Sequence, residues 1–573
     1  MRRTLVTGAV VAVALAAPAV AWSHAALLRT TPAASVVVNT PPKQVSLVFS
    51  EAVEPRFAIV SVTDAGAQRL TAGPPQRSAA NPDELDVPVK KLPQGWYLVV
   101  WRVISVDGHP VRGAYTFAVG PNPGPAPQFV IPSLSETAAT PKLVAARWVA
   151  LLTMLAAIGL FVFRAIIARP LVSRVTGTSL RTVSVAFWVT LALALVAVPV
   201  YVLLATAQFA LRSFWSVGAL VPLMRVSAFG RGYLDLELIL GLFAVAAAAA
   251  LWLDRPQQAQ RSVAGLLAFW GALLAAGAAL LAPGVAGHAA QTSPRALAIA
   301  LDALHVGAVA LWIGGLIGLL VLWRSLAAGR RIAGLVVVVP RFSNVAFASV
   351  LTLLASGIWA SVLHLPTLAS LWQTSYGKTI ILKSLILLCA MLLASVNLLR
   401  TRPRLQAAVD QPDGGRGAAS LLRRLVAGEA LLVSGAVLAA ALLSSLPPPP
   451  KALAGLARPS GHTGPGPVTT VVDRDGYRVG LEVTPNQAAT QNTFTVRLTK
   501  AGAPVRGADV ISTFTMLDME MPAQSYRLAE VSPGVYQRVA PALVMVGHWG
   551  LGYQIQPRGS KPFTVLLVDK AEG

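Results

Sequence analysis

The sequence predicts a multidomain membrane protein in which eight transmembrane helices separate an N-terminal all-β domain, a sandwich or barrel, from a C-terminal β-sandwich. Hydrophobic residues make up 55% of the 573 residues and charged residues only 12%, which is far from a soluble composition. Several segments contain about 20 apolar residues, the length that a helix needs to cross the hydrocarbon of a bilayer. Both flanking regions instead alternate short apolar runs with turn-forming residues, a pattern typical of β domains.

Residues 1–23 are predicted to be a secretory signal peptide. Arg2 and Arg3 precede an apolar run that ends in small residues, as in cleaved signals. Cleavage after Ala21 would leave Trp22 at the mature N-terminus, whereas cleavage two residues later would leave His24. Both sites are compatible with the residues, and both would place the following domain outside the cytoplasm.

The first β domain is expected over residues 24–120. Alternating runs such as 45–49 and 97–101 are separated by turn-forming clusters such as 39–42. A linker rich in Pro and Gly follows at 121–142. The single cysteine of the chain, Cys389, lies in an apolar run, so no disulfide framework can form and soft-metal chemistry in the β domains must use Met and His.

Eight membrane helices are predicted within residues 143–445. Their approximate bounds are 143–163, 182–205, 234–253, 263–282, 297–322, 343–363, 379–399 and 425–445. With the N-terminal domain outside, the inner loops contain sixteen Lys or Arg residues and the outer loops contain five. This bias follows the positive-inside rule, so we expect a multi-pass protein of the cytoplasmic membrane with both termini outside. Most of the net charge of +23 lies in these loops and does not indicate nucleic-acid binding.

A second linker is expected at 446–467, and it leads into a second β-sandwich at 468–573. Alternating runs such as 494–498 and 563–567 support this prediction.

Three residues of the first domain form a candidate metal site. A mature N-terminal His24 would offer its α-amine and its imidazole, and His109 would add a third nitrogen, a set that suits Cu(II). Asp107 lies on the same side of an extended segment as His109 and could supply an oxygen or hold the imidazole. The alternative is a terminal histidine without a role and a simple Asp-Gly turn.

These features resemble the CopC family of copper-binding proteins. The resemblance rests on the leading His24, the pair Pro32-Ala33, and the segments 48–51, 107–110 and 113–117, and it covers residues 24–120. It implies a Cu(II) site formed by His24, Asp107 and His109, with Glu51 as a nearby acidic residue. The Met-rich Cu(I) loop of some CopC proteins is not expected, because no methionine lies between residues 2 and 153.

Polar residues in the membrane domain are predicted to cluster on the outer side. Asp302 and His305 are three residues apart and share a helix face, His288 lies in the preceding outer loop, and His364 ends the sixth helix. Intramembrane ionisable residues are costly and usually functional, so these four residues are the expected entry region for copper. Asp302 and His305 could instead stabilise helix packing alone. Lys383 and Glu429 are further intramembrane charges with no predicted role.

The membrane domain resembles the CopD family over most of residues 143–445. The resemblance rests on short motifs, namely Gly-His-Ala-Ala at 287–290, Asp302 with His305, Leu-Trp-Ile-Gly-Gly-Leu at 311–316, Tyr-Gly-Lys at 376–378 and Asn-Leu-Leu at 397–399. It implies that this domain handles copper.

The C-terminal domain contains a second candidate metal site. Met519 and Met521 would share one face of an extended segment, and Met545 and His548 lie near another strand. Thioethers with an imidazole suit Cu(I), but methionines also fill protein cores, and both interpretations stay open. The segments around these residues resemble the YtkA-like family, which is often fused to copper proteins.

The fused CopC–CopD architecture implies extracytoplasmic capture of Cu(II) and passage of copper across the membrane through the helical bundle. Expected partners are copper ions, the lipid bilayer and an extracytoplasmic copper chaperone. The alternative is a membrane-anchored copper chaperone or reservoir that does not transport and serves copper resistance or copper-enzyme assembly. No phosphate loop, zinc-hydrolase motif or nucleophile with a base is recognisable, so an enzyme is not expected. We call the N-terminal β domain, residues 24–120, the head. The enzymatic alternative for the head is oxidation of a polysaccharide, because copper monooxygenases also hold their metal with an N-terminal histidine.

Overall fold

The structure is a computed structural model with a helical unit and a β-rich unit, and each is described by itself below. It describes residues 27–572 except 34–35, 50–51, 105–109, 124–139, 227, 259, 287–293, 327–329, 366, 369, 408–411, 447–458, 489, 518–522 and 545–546.

The N-terminal β domain consists of two four-stranded sheets, in the orders β1-β3-β6-β5 and β2-β8-β7-β4. Its strands are β1 (Leu27–Thr31), β2 (Val37–Val38), β3 (Gln44–Phe49), β4 (Ile59–Asp64), β5 (Gln76–Arg77), β6 (Glu84–Pro88), β7 (Gly95–Ile104) and β8 (Pro110–Val119). Alternate residues such as Val45, Leu47 and Phe49 are buried, because successive side chains of a strand point to opposite faces. The predicted all-β fold is confirmed.

The helical unit contains eight helices that are long and apolar enough to cross a membrane, as the sequence predicts. They are α1 (Pro141–Val162), α2 (Arg181–Phe209), α3 (Ala228–Leu253), α4 (Val263–Ala286), α5 (Arg295–Ser325), α6 (Arg331–His364), α7 (Ser375–Val396) and α8 (Pro412–Leu443). Short helices lie at Arg169–Arg174, Val217–Val226, Ser370–Gln373 and Arg402–Ala407.

Several helices extend beyond their predicted bounds. Helix α6 begins at Arg331 rather than near 343, and α8 begins at Pro412 rather than near 425. Hydropathy marks only the part of a helix that fits the hydrocarbon, whereas the backbone hydrogen bonds continue into the charged interface. Two π-helical segments, Phe163–Ala168 after α1 and Asn397–Thr401 after α7, were not predicted. The first segment contains Arg164, and the second contains Asn397 and Thr401.

Glycines set the position of α5 in the bundle. A Cβ atom at Gly159 of α1 would overlap the carbonyl oxygen of Ala310, and one at Gly314 would overlap the backbone of Gly159. A Cβ atom at Gly315 would overlap the ring of Phe342 on α6. Small residues let membrane helices approach this closely, so α5 lies directly between α1 and α6.

The C-terminal β domain forms one continuous ladder, in the order β10-β11-β12-β16-β15-β14-β17-β18-β9, with β13 paired to β12. Its strands are β9 (Gly461–Thr463), β10 (Val468–Arg474), β11 (Tyr477–Thr484), β12 (Asn492–Lys500), β13 (Ala503–Pro504), β14 (Asp509–Met516), β15 (Gln524–Ser532), β16 (Val535–Ala540), β17 (Gly547–Gln556) and β18 (Phe563–Ala571). Large side chains such as Phe514, Trp549 and Tyr553 fill its core.

Candidate functional site

A cluster of polar side chains connects three helices within the apolar bundle: Asp302 and His305 of α5, Ser356 of α6 and Lys383 of α7. We call it the outer cluster, after the side of the membrane that the loop charges predict for it. Nζ of Lys383 lies 3.2 Å from Nε2 of His305, and Nδ1 of His305 lies 2.9 Å from Oγ of Ser356. His305 lies ten residues into α5, about 15 Å from its first residue. The cluster therefore lies at a depth where a lipid environment would surround it.

The hydrogen bonds of Ser356 determine which nitrogen of His305 carries the proton. Oγ of Ser356 donates its hydrogen to the carbonyl oxygen of Thr352, at 2.5 Å, and can therefore only accept from Nδ1 of His305. The lone pair of His305 is then on Nε2, where it accepts from Lys383. Both ring nitrogens of His305 are engaged in this arrangement.

Asp302 completes the outer cluster through charge. Its carboxylate and the ammonium group of Lys383 attract each other, although within the described residues they do not form an ion pair shorter than 4 Å. A Cβ atom at Gly284 of α4 would lie 2.7 Å from Oδ2 of Asp302, so the absence of a side chain there gives the carboxylate its room. His288 follows Gly284 by four residues but lies outside the described residues.

His364 lies apart from this cluster. Its Nδ1 donates to the carbonyl oxygen of Ala360 at 2.8 Å, and its ring lies 6.4 Å from the ring of Tyr376. It follows Ser356 by eight residues on α6, which is about 12 Å along the helix. Across the part of the chain that the structure describes, no three His, Cys, Asp or Glu residues lie close enough together to hold a metal ion.

Lys383 is a member of the outer cluster for which the sequence predicted no role. It is a single charge in the middle of an apolar helix, and its costly desolvation is a signal that it has a partner. The partner could not be identified from the sequence, because α5 and α7 are separated by a whole helix.

A second polar group, which we call the arginine network, lies where α3 ends. Asp254 accepts hydrogen bonds from Arg164 at 2.5 Å and Arg169 at 2.9 Å, and Arg261 lies 3.7 Å away. Burial raises the pKa of Asp254, but the hydrogen bonds and charges of Arg169 and Arg164 outweigh this effect and hold the pKa below its ordinary value. Arg164 belongs to the first π-helical segment.

In the head, the predicted ligands follow or precede strand ends that are connected through the rings of Phe49 and Trp101. Leu27, three residues after His24, pairs with Phe49, which ends β3 two residues before Glu51. The ring of Phe49 packs edge-on against Trp101 at 5.4 Å, and Ile104 ends β7 three residues later, about 10 Å away along an extended strand. His24, Glu51, Asp107 and His109 themselves lie outside the described residues.

In the C-terminal domain, described residues next to the predicted Cu(I) ligands come together where β14 ends and β17 begins. Met516, the last residue of β14, pairs with Trp549, and the amide of Leu517 donates to the carbonyl oxygen of His548 at 2.7 Å. The imidazole of His548 is exposed and attracts the carboxylate of Asp569. Met519, Met521 and Met545 lie outside the described residues.

Family models match three consecutive parts of the chain. The CopC domain model matches residues 27–120, the model of copper resistance protein D matches 336–443, and the YtkA-like model matches 472–553. The chain is 25% identical to the copper transport protein CutJ of Bacillus subtilis over 544 residues, which is 93% of each protein.

The head also has relatives of its own. The protein YobA of Escherichia coli is 38% identical over 112 residues, which is 19% of this chain and 90% of that protein. The crystal structure of CopC from Methylosinus trichosporium OB3b is 35% identical and covers 18% of this chain and 98% of that chain, with a TM-score of 0.17.

Proposed function

Because the chain belongs to the fused CopC–CopD copper family and carries a C-terminal YtkA-like domain, we propose that it acquires copper outside the cell and passes it across the cytoplasmic membrane. In this proposal the head captures Cu(II), the helical bundle conducts copper inward, and an extracytoplasmic copper chaperone is a further partner. Both termini lie outside, as the charge bias of the loops supports.

The observation that carries the proposal is the outer cluster. An acid, a histidine and a lysine within membrane-crossing helices cost much desolvation free energy, and proteins retain such groups mostly on ion or proton routes. The cluster draws on α5, α6 and α7, and it lies next to the helix that leads to His288. Asp302, His305, His288 and His364 are therefore the proposed entry region for copper.

Capture in the head is proposed to use His24, Asp107 and His109, with Glu51 nearby. A common site is supported by two contacts of the flanking strands. Leu27 pairs with Phe49, and the ring of Phe49 packs against Trp101, three residues before β7 ends. We expect one Cu(II) ion per mature protein at this site, lost in His109→Ala and weakened in Asp107→Ala, as titration followed by electron paramagnetic resonance would show. An intact Cu(II) signal in His109→Ala, or a mature chain that begins at Trp22, would contradict this ligand set.

The C-terminal domain is proposed to exchange Cu(I) through Met519, Met521, Met545 and His548. The hydrogen bond between Leu517 and His548 supports this proposal, because it holds the start of the methionine segment beside the histidine. The change from Cu(II) in the head to Cu(I) here would need an external reductant.

A second function, a membrane-anchored copper chaperone or reservoir, is favoured by the engagement of both nitrogens of His305. A histidine with hydrogen bonds on both sides must lose one of them before it can bind copper. In that role the bundle would anchor the two β domains and move no copper.

Uptake of radioactive copper by cells distinguishes the two functions. Transport predicts that cells with the protein accumulate more copper in the cytoplasm at low external copper than cells without it. A chaperone or reservoir predicts equal cytoplasmic copper and a difference only in the copper that stays bound outside the membrane, so equal cytoplasmic accumulation would overturn transport.

A further inference from the structure

The bundle contains a second intramembrane polar site, built around Glu429 of α8. The Glu429 side chain is buried, with 3% of the residue exposed, and it accepts a hydrogen bond from Nδ2 of Asn397, the first residue of the second π-helical segment. The buried indole N–H of Trp312 on α5 interacts electrostatically with the same carboxylate and has no hydrogen-bond partner among the described residues. Glu429 lies about 8 Å along the helix from Arg424. It therefore lies inside the apolar part of the bundle.

No cation compensates this carboxylate among the described residues. The groups that face it, Asn397 and Trp312, are neutral. The charged side chains at the same ends of the packed helices are Arg324, Arg331, Arg341, Arg400, Arg402, Arg404, Arg423 and Arg424. None of them forms an ion pair or hydrogen bond with Glu429 in the described structure; Arg331, Arg341 and Arg402 are half-buried, and the other five are exposed. On α1, Arg147 donates to Ser444 and Ser445 at the opposite end of α8.

An ionised carboxylate that is buried in a helical bundle without a cation has a large unfavourable desolvation free energy. Binding of a proton neutralises the carboxylate and removes this cost. We propose that Glu429 binds a proton and exchanges it during copper passage, which makes it the proton-coupling group of the membrane domain. This inference rests on the proposed transport function and adds its source of free energy.

Asn397 is suited to such an exchange, because its amide has both a donor and an acceptor. Nδ2 donates to the carboxylate, while Oδ1 is buried and has no partner among the described residues. An amide rotation would let Oδ1 accept from the protonated acid. The hydroxyl of Thr401, at the other end of the same π-helical segment, is also buried without a described partner. π-Helical turns within α-helices are rare and frequently occur at functional sites.

Helix geometry connects Glu429 with the outer cluster. Trp312 follows His305 by seven residues, two turns of α5 on the same face, about 10 Å apart. Asn397 follows Lys383 by fourteen residues, close to four turns along the same side of the α7 segment. Trp312 and Asn397, which interact with Glu429, therefore lie on the same helix faces as His305 and Lys383 of the outer cluster.

The test uses the full chain in proteoliposomes, with Glu429→Gln as the variant and Glu482→Gln, at the surface of the C-terminal domain, as the chemically matched control. Glutamine can still accept from Asn397 but cannot release a proton, so thermal unfolding should not change. Copper is supplied outside as Cu(II) or, with ascorbate, as Cu(I), and a pH-sensitive dye reports proton flux. We expect copper-driven proton flux in the wild type and in Glu482→Gln, and its loss in Glu429→Gln.

Infrared difference spectra separate this inference from the transport proposal. A carboxylic-acid band that is present in the wild type and missing in Glu429→Gln would support a proton on Glu429. If that band were seen while the vesicles moved no copper, transport would be refuted and the proton site would stand. Absence of that band in the wild type would overturn the proton site. Unchanged copper-driven proton flux in Glu429→Gln would overturn the coupling.

Discussion

The outer cluster and the arginine network both contain an acid and basic side chains within one helical unit, but they differ in how closely these groups are paired. In the arginine network, Asp254 is held by two short hydrogen bonds and a third cation, and Arg169 also donates to the carbonyl oxygens of Arg255 and Gln258. In the outer cluster, Lys383 reaches His305 at 3.2 Å and attracts Asp302 without a close ion pair in the described structure.

This difference separates a structural role from a functional one. A network in which the acid has several strong partners fixes the ends of α1 and α3 and has little freedom to accept another ion. A cluster in which the lysine holds the histidine by one hydrogen bond can exchange that bond for a ligand. Intramembrane charge alone therefore does not identify a transport site, and the absence of a close ion pair at Asp302 among the described residues is what favours the outer cluster for the proposed transport role.

The largest effect is expected when the arginine network loses its acid. Asp254→Ala would leave two buried arginines and the half-buried Arg261 together, and removal of one partner from a buried ion network costs about 3–5 kcal/mol. We expect a large loss of folded protein, measured as abundance in membranes and as the midpoint of thermal unfolding in detergent. Because the pKa of Asp254 is depressed, the network stabilises the fold above the ordinary pKa of aspartate and weakens as the pH falls through the lowered value.

The exposed Asp473→Ala serves as the control for this change and should leave stability unaltered. A stable Asp254→Ala protein with impaired copper uptake would contradict the structural role of the arginine network, since the network would then serve transport rather than folding.

A smaller change in stability is expected when the outer cluster loses its cation. Lys383→Met removes one interhelical hydrogen bond, which is worth about 1 kcal/mol in a membrane protein. Copper uptake should nevertheless fall strongly, because Asp302 and His305 lose the group that connects them. Uptake normalised to folded protein measures this effect, with Lys383→Arg as the variant that keeps the charge. Normal uptake in Lys383→Met would assign the lysine to packing alone.

The sequence was sufficient for the fold because its signals are local. Apolar length predicted eight helices, and alternation predicted the β domains on either side, since each pattern depends on residues close together in the chain. The predicted start of α6 near residue 343 was wrong, since the helix begins at Arg331. The helical turns at the membrane interface contain the same charged residues as loops, so hydropathy does not distinguish the two.

The candidate site could be predicted only in part, because its contacts are distant in sequence. Asp302 and His305 share a helix face through their spacing, and the sequence predicted that pair. Lys383 and Ser356 reach His305 from other helices, which no spacing rule reveals. The role of Asn397 beside Glu429 depends on a π-helical segment, and nothing in its sequence, Asn-Leu-Leu-Arg-Thr, predicts a π-helical backbone.

Copper accumulation in cells with His305→Ala tests the transport account most directly. His305 of α5 contacts Ser356 of α6 and Lys383 of α7 and belongs to the proposed entry region, and His462→Ala, at an exposed position of the C-terminal domain, is the matched control. We predict lower accumulation at low external copper in His305→Ala, with protein abundance equal to the wild type and His462→Ala unchanged. Normal accumulation together with a lower unfolding temperature would contradict the account, and increased accumulation would mean that the protein restrains or exports copper.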